Sequence, residues 1–292
     1  MCIRDSPEYV AAYTNRGAAY ANKGEIDLAI EDYTKAIGLN PEYIDAYYNR
    51  GAAYKDKGEI DLVIRDCTKV IELNPEDAEA YYHRGAAYKD KGDFAKAISD
   101  YTKAIELNPE DADAYFNRGN TYTDKGEIDL AIQDYNKAID LNPEYVAAYT
   151  NRGNTYVGKG EVDRAIEDYT KAIELNPEYV AAYTNRGTVY VGKDEVDRAI
   201  EDYTKAIGLN PEYVAAYTNR GAAYANKGEI DLAIQDCNKA IELNPEYVAA
   251  YTNRGAAYAN KGEIDLAIQD YNKAIELNPE DKALKLLRRS MA

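Results

Sequence analysis

Two ionisable residues recur in register along this sequence, and any chemistry should be sought there first. Arginine stands at Arg16, Arg50, Arg84, Arg118, Arg152, Arg186, Arg220 and Arg254. Aspartate stands at Asp32, Asp66, Asp100, Asp134, Asp168, Asp202, Asp236 and Asp270, and both rows repeat every 34 residues. A guanidinium is a planar fork of donors that a carboxylate accepts two at a time. Eight arginines could therefore gather anions, or each could be held by its own aspartate, and a built-in partner for every arginine favours the second. A third row is made of amides: Asn15, Asn49, Asn117, Asn151, Asn185, Asn219 and Asn253, with His83 in the remaining place. A carboxamide offers a donor and an acceptor, so such a row suits the backbone of an extended peptide in either sense. The sequence has no nucleophile–base pair, metal cluster or phosphate loop, so no catalytic residue, cofactor or metal is expected.

The elements that carry these rows follow from the same period. All nine prolines are spaced by 34 residues, from Pro7 to Pro279. They delimit a non-repeat leader 1–6, eight copies (7–40, 41–74, 75–108, 109–142, 143–176, 177–210, 211–244 and 245–278) and a remnant 279–292. Tyr13, Gly17 and Tyr20 share one helical face, and Ile26, Ala29, Ile30, Tyr33, Ala36 and Ile37 form a second helix. Gly24 supplies the positive φ that ends the first helix. Asn40-Pro41 ends the second, through an asparagine that tolerates the same conformation and a proline that cannot continue a helix. Each copy is thus an antiparallel helical hairpin, and the chain is all-α with sixteen helices before the remnant. Arg16 and Asp32 both lie eight residues from Gly24, one on each side, so they meet at the same height. A partly buried Arg–Asp pair is expected in every copy.

Composition narrows the function. The formal net charge is −17, which argues against nucleic acid, whose phosphates require a basic stripe. No stretch approaches a membrane span, and the start lacks an apolar signal core. Cys67 and Cys237 stand where six other copies have tyrosine, and five copies separate them. They are expected to be buried, unpaired fillers, pointing to a reducing, cytoplasmic setting. Of the 30 tyrosines, those equivalent to Tyr13, Tyr20 and Tyr33 are expected to be packing residues.

The spaced Tyr…Gly…Tyr…Ala…Tyr…Ala…Pro pattern resembles the tetratricopeptide repeats in all eight copies, allowing for Cys67, Cys237, Val63 and Val70. The arginine before each glycine departs from the leucine commoner in that family and marks an Asn-Arg-Gly variant. The resemblance implies a right-handed superhelical solenoid whose concave face binds peptides or partner proteins. It also implies that the amide row is similar to the asparagine ladder of O-linked N-acetylglucosamine transferase, which grips backbone amides. Chaperone-binding members place lysines at the position of Ala11. Here the equivalents are Asp45, Glu79, Asp113, Ala147, Ala181, Ala215 and Ala249, so a carboxylate clamp for chaperones is not expected.

The face opposite Tyr13 and Gly17 carries Ala11, Asn15, Ala18 and Asn22, small and polar enough for an extended peptide to lie close. Copies two to four add Tyr48, Tyr82 and Phe116 beside that row, near Asp56, Asp90 and Asp124. An aromatic and acidic patch favours a ligand with basic and apolar side chains. Copies seven and eight differ only at Cys237 against Tyr271, a near-identity that points to recent internal duplication and little specialisation of individual copies. In copy six, Asp194 replaces the turn glycine, which predicts a loose hairpin or a turn shifted to Gly192. The remnant reads as a capping helix or as a basic peptide for another protein, and the leader as a boundary feature or a disordered start. The sequence thus points to a protein-interaction scaffold. The alternatives are the regulatory or targeting region of a larger enzyme or secretion component, or a solenoid that self-associates.

Overall fold

A computed structural model describes residues 7–279, so the leader and nearly all of the expected cap lie outside the described residues. Among those residues every regular element is an α-helix, sixteen in all. The chain divides into two compact units, one running to Ala148 and the other starting at Tyr149. The first carries α1 (Pro7–Asn22), α2 (Ile26–Leu39), α3 (Ile44–Asp56), α4 (Ile60–Leu73), α5 (Ala78–Asp90), α6 (Phe94–Leu107), α7 (Ala112–Lys125) and α8 (Ile128–Leu141). The division falls within α9 (Val146–Lys159). The second unit continues with α10 (Val162–Leu175), α11 (Val180–Gly192), α12 (Val196–Leu209), α13 (Val214–Lys227), α14 (Ile230–Leu243), α15 (Val248–Lys261) and α16 (Ile264–Leu277).

Each hairpin is closed by its turn. Gly24 has φ +77°, its N–H donates to Ala21 O, and the N–H of Glu25 reaches back to Tyr20 O. These two bonds satisfy the carbonyls that the helix end leaves open. In copy six the turn does not shift. Asp194 itself adopts φ +62°, and its N–H and that of Glu195 donate to Val191 O and Tyr190 O, the same bonds as at Gly24. A left-handed non-glycine residue costs about 1 kcal/mol. Asp194→Gly is therefore expected to stabilise the hairpin by about that amount. Greater amide protection over residues 188–200 in the variant is the measurement, and unchanged protection would count against stored strain.

The second helices end differently from expectation. Asn40 is extended, with φ −140° and ψ 96°, and is not left-handed. The residue before a proline is pushed out of the helical region, which sets this conformation. Asparagine contributes through its side chain instead: Asn40 Oδ1 accepts the N–H of Glu42 at 3.1 Å. The same bond recurs from Asn74 to Asn244 at every later junction.

Helix pairs approach closely because one side of the seam is glycine. A Cβ added to Gly17 would lie 2.7 Å from Tyr33 Cε1, and Gly119 and Gly153 meet Tyr135 and Tyr169 in the same way. The alanines equivalent to Ala29 and Ala36 are fully buried beside these rings wherever they occur.

The arginine and aspartate rows meet in all eight copies. Nε and Nη2 of each arginine donate to the two carboxylate oxygens at 2.5–2.9 Å. The aspartates are buried, and each guanidinium lies between the tyrosines three before and four after it, as Arg118 does at 5.7 and 5.9 Å from Tyr115 and Tyr122. The Arg16 fork holds the Asp32 carboxyl below its ordinary range. The third donor was not foreseen. Nη1 of Arg50, Arg84 and Arg118 donates to Thr34, Thr68 and Thr102 of the preceding copy, and Arg186, Arg220 and Arg254 reach Thr170, Thr204 and Asn238. These arginines tie a copy to itself and to its neighbour, so the donors an anion would need are taken. On the solvent side a second inter-copy tie recurs, as Lys57 to Asp27 and Lys91 to Asp61 in one unit, and Lys193 to Asp163, Lys227 to Asp197 and Lys261 to Asp231 in the other.

Candidate functional site

The amide row lies on the first helix of every copy, but its side chains are not a set of idle groups. In the first unit Asn117 Nδ2 donates to Tyr82 Oη at 2.9 Å and to Asp113 O at 3.0 Å. In the second, Asn185 Nδ2 donates to Asn154 Oδ1 and Asn253 Nδ2 to Thr218 O. The main-chain carbonyls of Asp113 and Thr218 can only accept, which fixes the orientation of the Asn117 and Asn253 amides. Among the described residues no protein donor reaches Oδ1 of Asn117, Asn185 or Asn253, so each keeps an unclaimed acceptor. Asn15 is exposed, Asn49, Asn151 and Asn219 are half-buried, and His83 Nε2 lies 3.3 Å from Glu79 Oε1.

The aromatic residues of copies two to four are placed less simply than a shared patch. Tyr48 and Tyr82 are joined through His83, which meets both rings edge-on at 6.0 and 5.3 Å. Phe116 instead packs on Tyr145 at 4.8 Å and on Tyr135. The hydroxyl of Tyr48 donates to Asp77 Oδ1 at 2.7 Å, and the same carboxylate caps α5 by accepting the N–H of Ala80. Burial together with Asp77 holds the Tyr48 phenol protonated well above its usual range. Tyr48 is thus partly a joint between copies. Asp56, Asp90 and Asp124 are exposed, and Asp124 pairs with Lys89 at 3.4 Å.

Several participants escaped the sequence reading. Asn120 and Asn154 take the Ala18 position and accept the hydroxyls of Tyr135 and Tyr169 at 2.8 and 2.7 Å, which fastens the buried rings to the amide-bearing face. Their departure from alanine was the available signal. A cavity of about 360 Å³ opens beside Asn49 and His83, above Cys67. Burial pushes the Cys67 thiol up to about 12, and that of Cys237 likewise, so both stay protonated and are poor nucleophiles at neutral pH. Among the described residues no group of three or more histidine, cysteine, aspartate or glutamate side chains could hold a metal ion, and no helix is long and apolar enough to cross a membrane.

Stacked helical hairpins of constant length, joined at a seam of tyrosine, glycine and alanine, define a helical-repeat domain, and comparison with known proteins agrees. Family models described as TPR repeat match residues 19–58, 119–160, 153–194 and 187–228. Others described as tetratricopeptide repeat match 44–77, 78–111, 100–133, 214–247 and 248–281. The chain belongs to the tetratricopeptide-repeat family. Comparison with curated protein sequences gives no match. Among solved structures, the APC/C hetero-tetramer Cut9–Hcn1 is similar at TM-score 0.64 and 21% identity, over 91% of this chain and 52% of that one. The chain therefore spans about half the length of that relative. YrrB, a TPR protein with an unusual peptide-binding site, is 32% identical at TM-score 0.53, over 65% of this chain and 97% of its own. A Pseudomonas aeruginosa protein, pilF, matches at TM-score 0.62 and 19% identity, over 73% of this chain and 97% of its own.

Proposed function

We propose that this chain is a non-enzymatic scaffold that holds an extended peptide, or a segment of a partner protein, along the first-helix face of its repeats. The observation that carries the reading is the unclaimed acceptor of Asn117, Asn185 and Asn253. A carboxamide whose donor is already committed to the preceding copy presents an oxygen of constant polarity, suited to the N–H groups of a bound backbone. Small residues between the amides, such as Ala222 and Ala256 in the second unit, let a main chain come close. The peptide-binding site named for YrrB supports the same use of the fold. Acidic Glu79, Asp90 and Asp113 on this face, with the half-buried rings near them, favour ligands with basic and apolar side chains.

The test is a phage-displayed library of unstructured peptides panned on the whole protein. Selected peptides that engage the second unit are expected to bind Asn185→Ala/Asn219→Ala/Asn253→Ala at least about tenfold more weakly, the loss of one to two good hydrogen bonds. Methylating their backbone nitrogens should have a similar effect. Peptides that bind the triple variant and the wild type equally would remove the ladder from the mechanism.

A further inference from the structure

We infer that the cavity between α3 and α5 is a specificity pocket for one aromatic side chain of an extended, basic peptide, an inference that rests on the peptide-binding reading above. Its origin is a ring missing from the seam. In six copies a tyrosine of the second helix lies under the glycine of the first, and a Cβ on that glycine would come within about 3 Å of the ring. Copy two has Cys67 there, and nothing approaches the Gly51 Cβ position more closely than Asp66 Cβ at 3.9 Å.

Loss of the ring alone does not leave such a gap. In copy seven the same exchange gives Cys237, yet its Sγ and Ala233 O both lie 3.2 Å from the Gly221 Cβ position, so the seam has closed. Copy two differs by two further residues. Val63 and Val70 replace the alanines that flank the ring elsewhere, and their extra methyl groups hold α4 away from α3. Both valines are buried. Two substitutions that widen the seam and one that empties it therefore act together.

The walls show which way the pocket opens. Its floor is the α4 row Ile60, Val63, Cys67 and Val70, all apolar. Its mouth is formed by Asn49 of α3 and His83 of α5, both members of the amide row, with Ala52 and Ala86 at the small positions beside them. A backbone lying on that row would pass over the opening. The volume of about 360 Å³ is at the small end of ligand pockets, which run from roughly 300 to 1,000 Å³, and leaves ample room for an aromatic side chain. A phenyl or phenol ring restores the kind of group that fills the equivalent space in six other copies. Around the mouth the carboxylates of Glu79 and Asp90 face one ammonium, Lys55, which favours a basic residue next to the inserted ring.

The experiment has two arms on the full chain. The first uses p-cresol, a tyrosine side chain without a backbone, followed by saturation-transfer nuclear magnetic resonance. The second uses the peptides Gly-Ser-Lys-X-Lys-Ser-Gly, with tyrosine, phenylalanine or alanine at X, titrated by fluorescence anisotropy. The variants are Cys67→Tyr and the reversion Val63→Ala/Cys67→Tyr/Val70→Ala, which gives copy two the seam of its neighbours and so secures a folded comparison. Wild type is expected to bind p-cresol and to prefer an aromatic X over alanine by about tenfold or more. The reversion should lose both properties while still binding the alanine peptide as wild type does. Peptides that bind without regard to X, or that discriminate equally in wild type and reversion, overturn the pocket but leave the groove reading intact. Binding of p-cresol with no binding of any peptide overturns the peptide occupant and the groove reading in the first unit together.

Discussion

Replacing Asp134 by alanine should cost about 3–5 kcal/mol, because it leaves the Arg118 guanidinium buried without its carboxylate. Arg118 donates to Asp134 twice, at 2.7 and 2.8 Å, and spends its third donor on Thr102 at 3.0 Å. Its side chain is only 16% exposed and that of Asp134 is 7% exposed, so water cannot take over the lost partner. Removing the charge from both ends is a different perturbation. Arg118→Met/Asp134→Leu should lose far less than the single variant, since no orphan charge remains. Urea unfolding followed by circular dichroism gives the comparison. In a repeat array the defect is also local, so amide exchange should loosen first in α7 and α8. A single variant within about 0.5 kcal/mol of wild type would show the pair to be ornamental, as many exposed pairs are.

The second large effect concerns two glycines at equivalent positions that should respond in opposite directions. In Gly119→Ala the new methyl would lie 2.9 Å from Tyr135 Cε1 and 3.3 Å from the main-chain oxygen of Ala131. The ring is walled in and the backbone cannot retreat, so overpacking should cost about 1–3 kcal/mol. Gly51→Ala meets only Asp66 Cβ at 3.9 Å, an ordinary contact. There the gain in helix propensity is unopposed, and the variant should be more stable by about 0.5–1 kcal/mol. Opposite shifts of the urea midpoint are the expected outcome. If Gly51→Ala destabilised as much as Gly119→Ala, the widened seam of copy two would be wrong, and with it the origin of the pocket.

Much of the fold was legible because one repeat solves the folding problem eight times. Helix faces, the turn glycine and the matched heights of Arg16 and Asp32 all follow from period and spacing, which sequence displays directly. Other features depend on what a neighbour does, and sequence hides that. Asn40 was legible as a helix end, but its extended backbone is imposed by Pro41 and stabilised by its own side chain. Cys67 was legible as a filler, whereas the space it fails to fill depends on Val63 and Val70 one helical turn away on either side. The amides were legible as a row, but the donors of Asn117 and Asn253 are committed to the preceding copy across 35 residues of sequence. Tyr48, Tyr82 and Phe116 were legible as neighbours of the amide row, but not the ring contacts each makes, His83 for the first two and Tyr145 for Phe116.

The two inter-copy ties differ in what they are immersed in, and that gives the first unit an elasticity with two faces. The arginine bonds to Thr68 and Thr102 are part-buried, where mobile ions screen them less. The lysine bonds to Asp27 and Asp61 lie in water, against carboxylates that are 83% and 77% exposed. Mobile ions screen such exposed charges over about 8 Å at physiological ionic strength. Raising the salt should therefore soften the lysine edge of a unit while the arginine edge keeps its spacing, so that the unit bends about the arginine edge as a hinge. Its compliance is thereby adjustable by ionic strength without any change in the hairpins themselves.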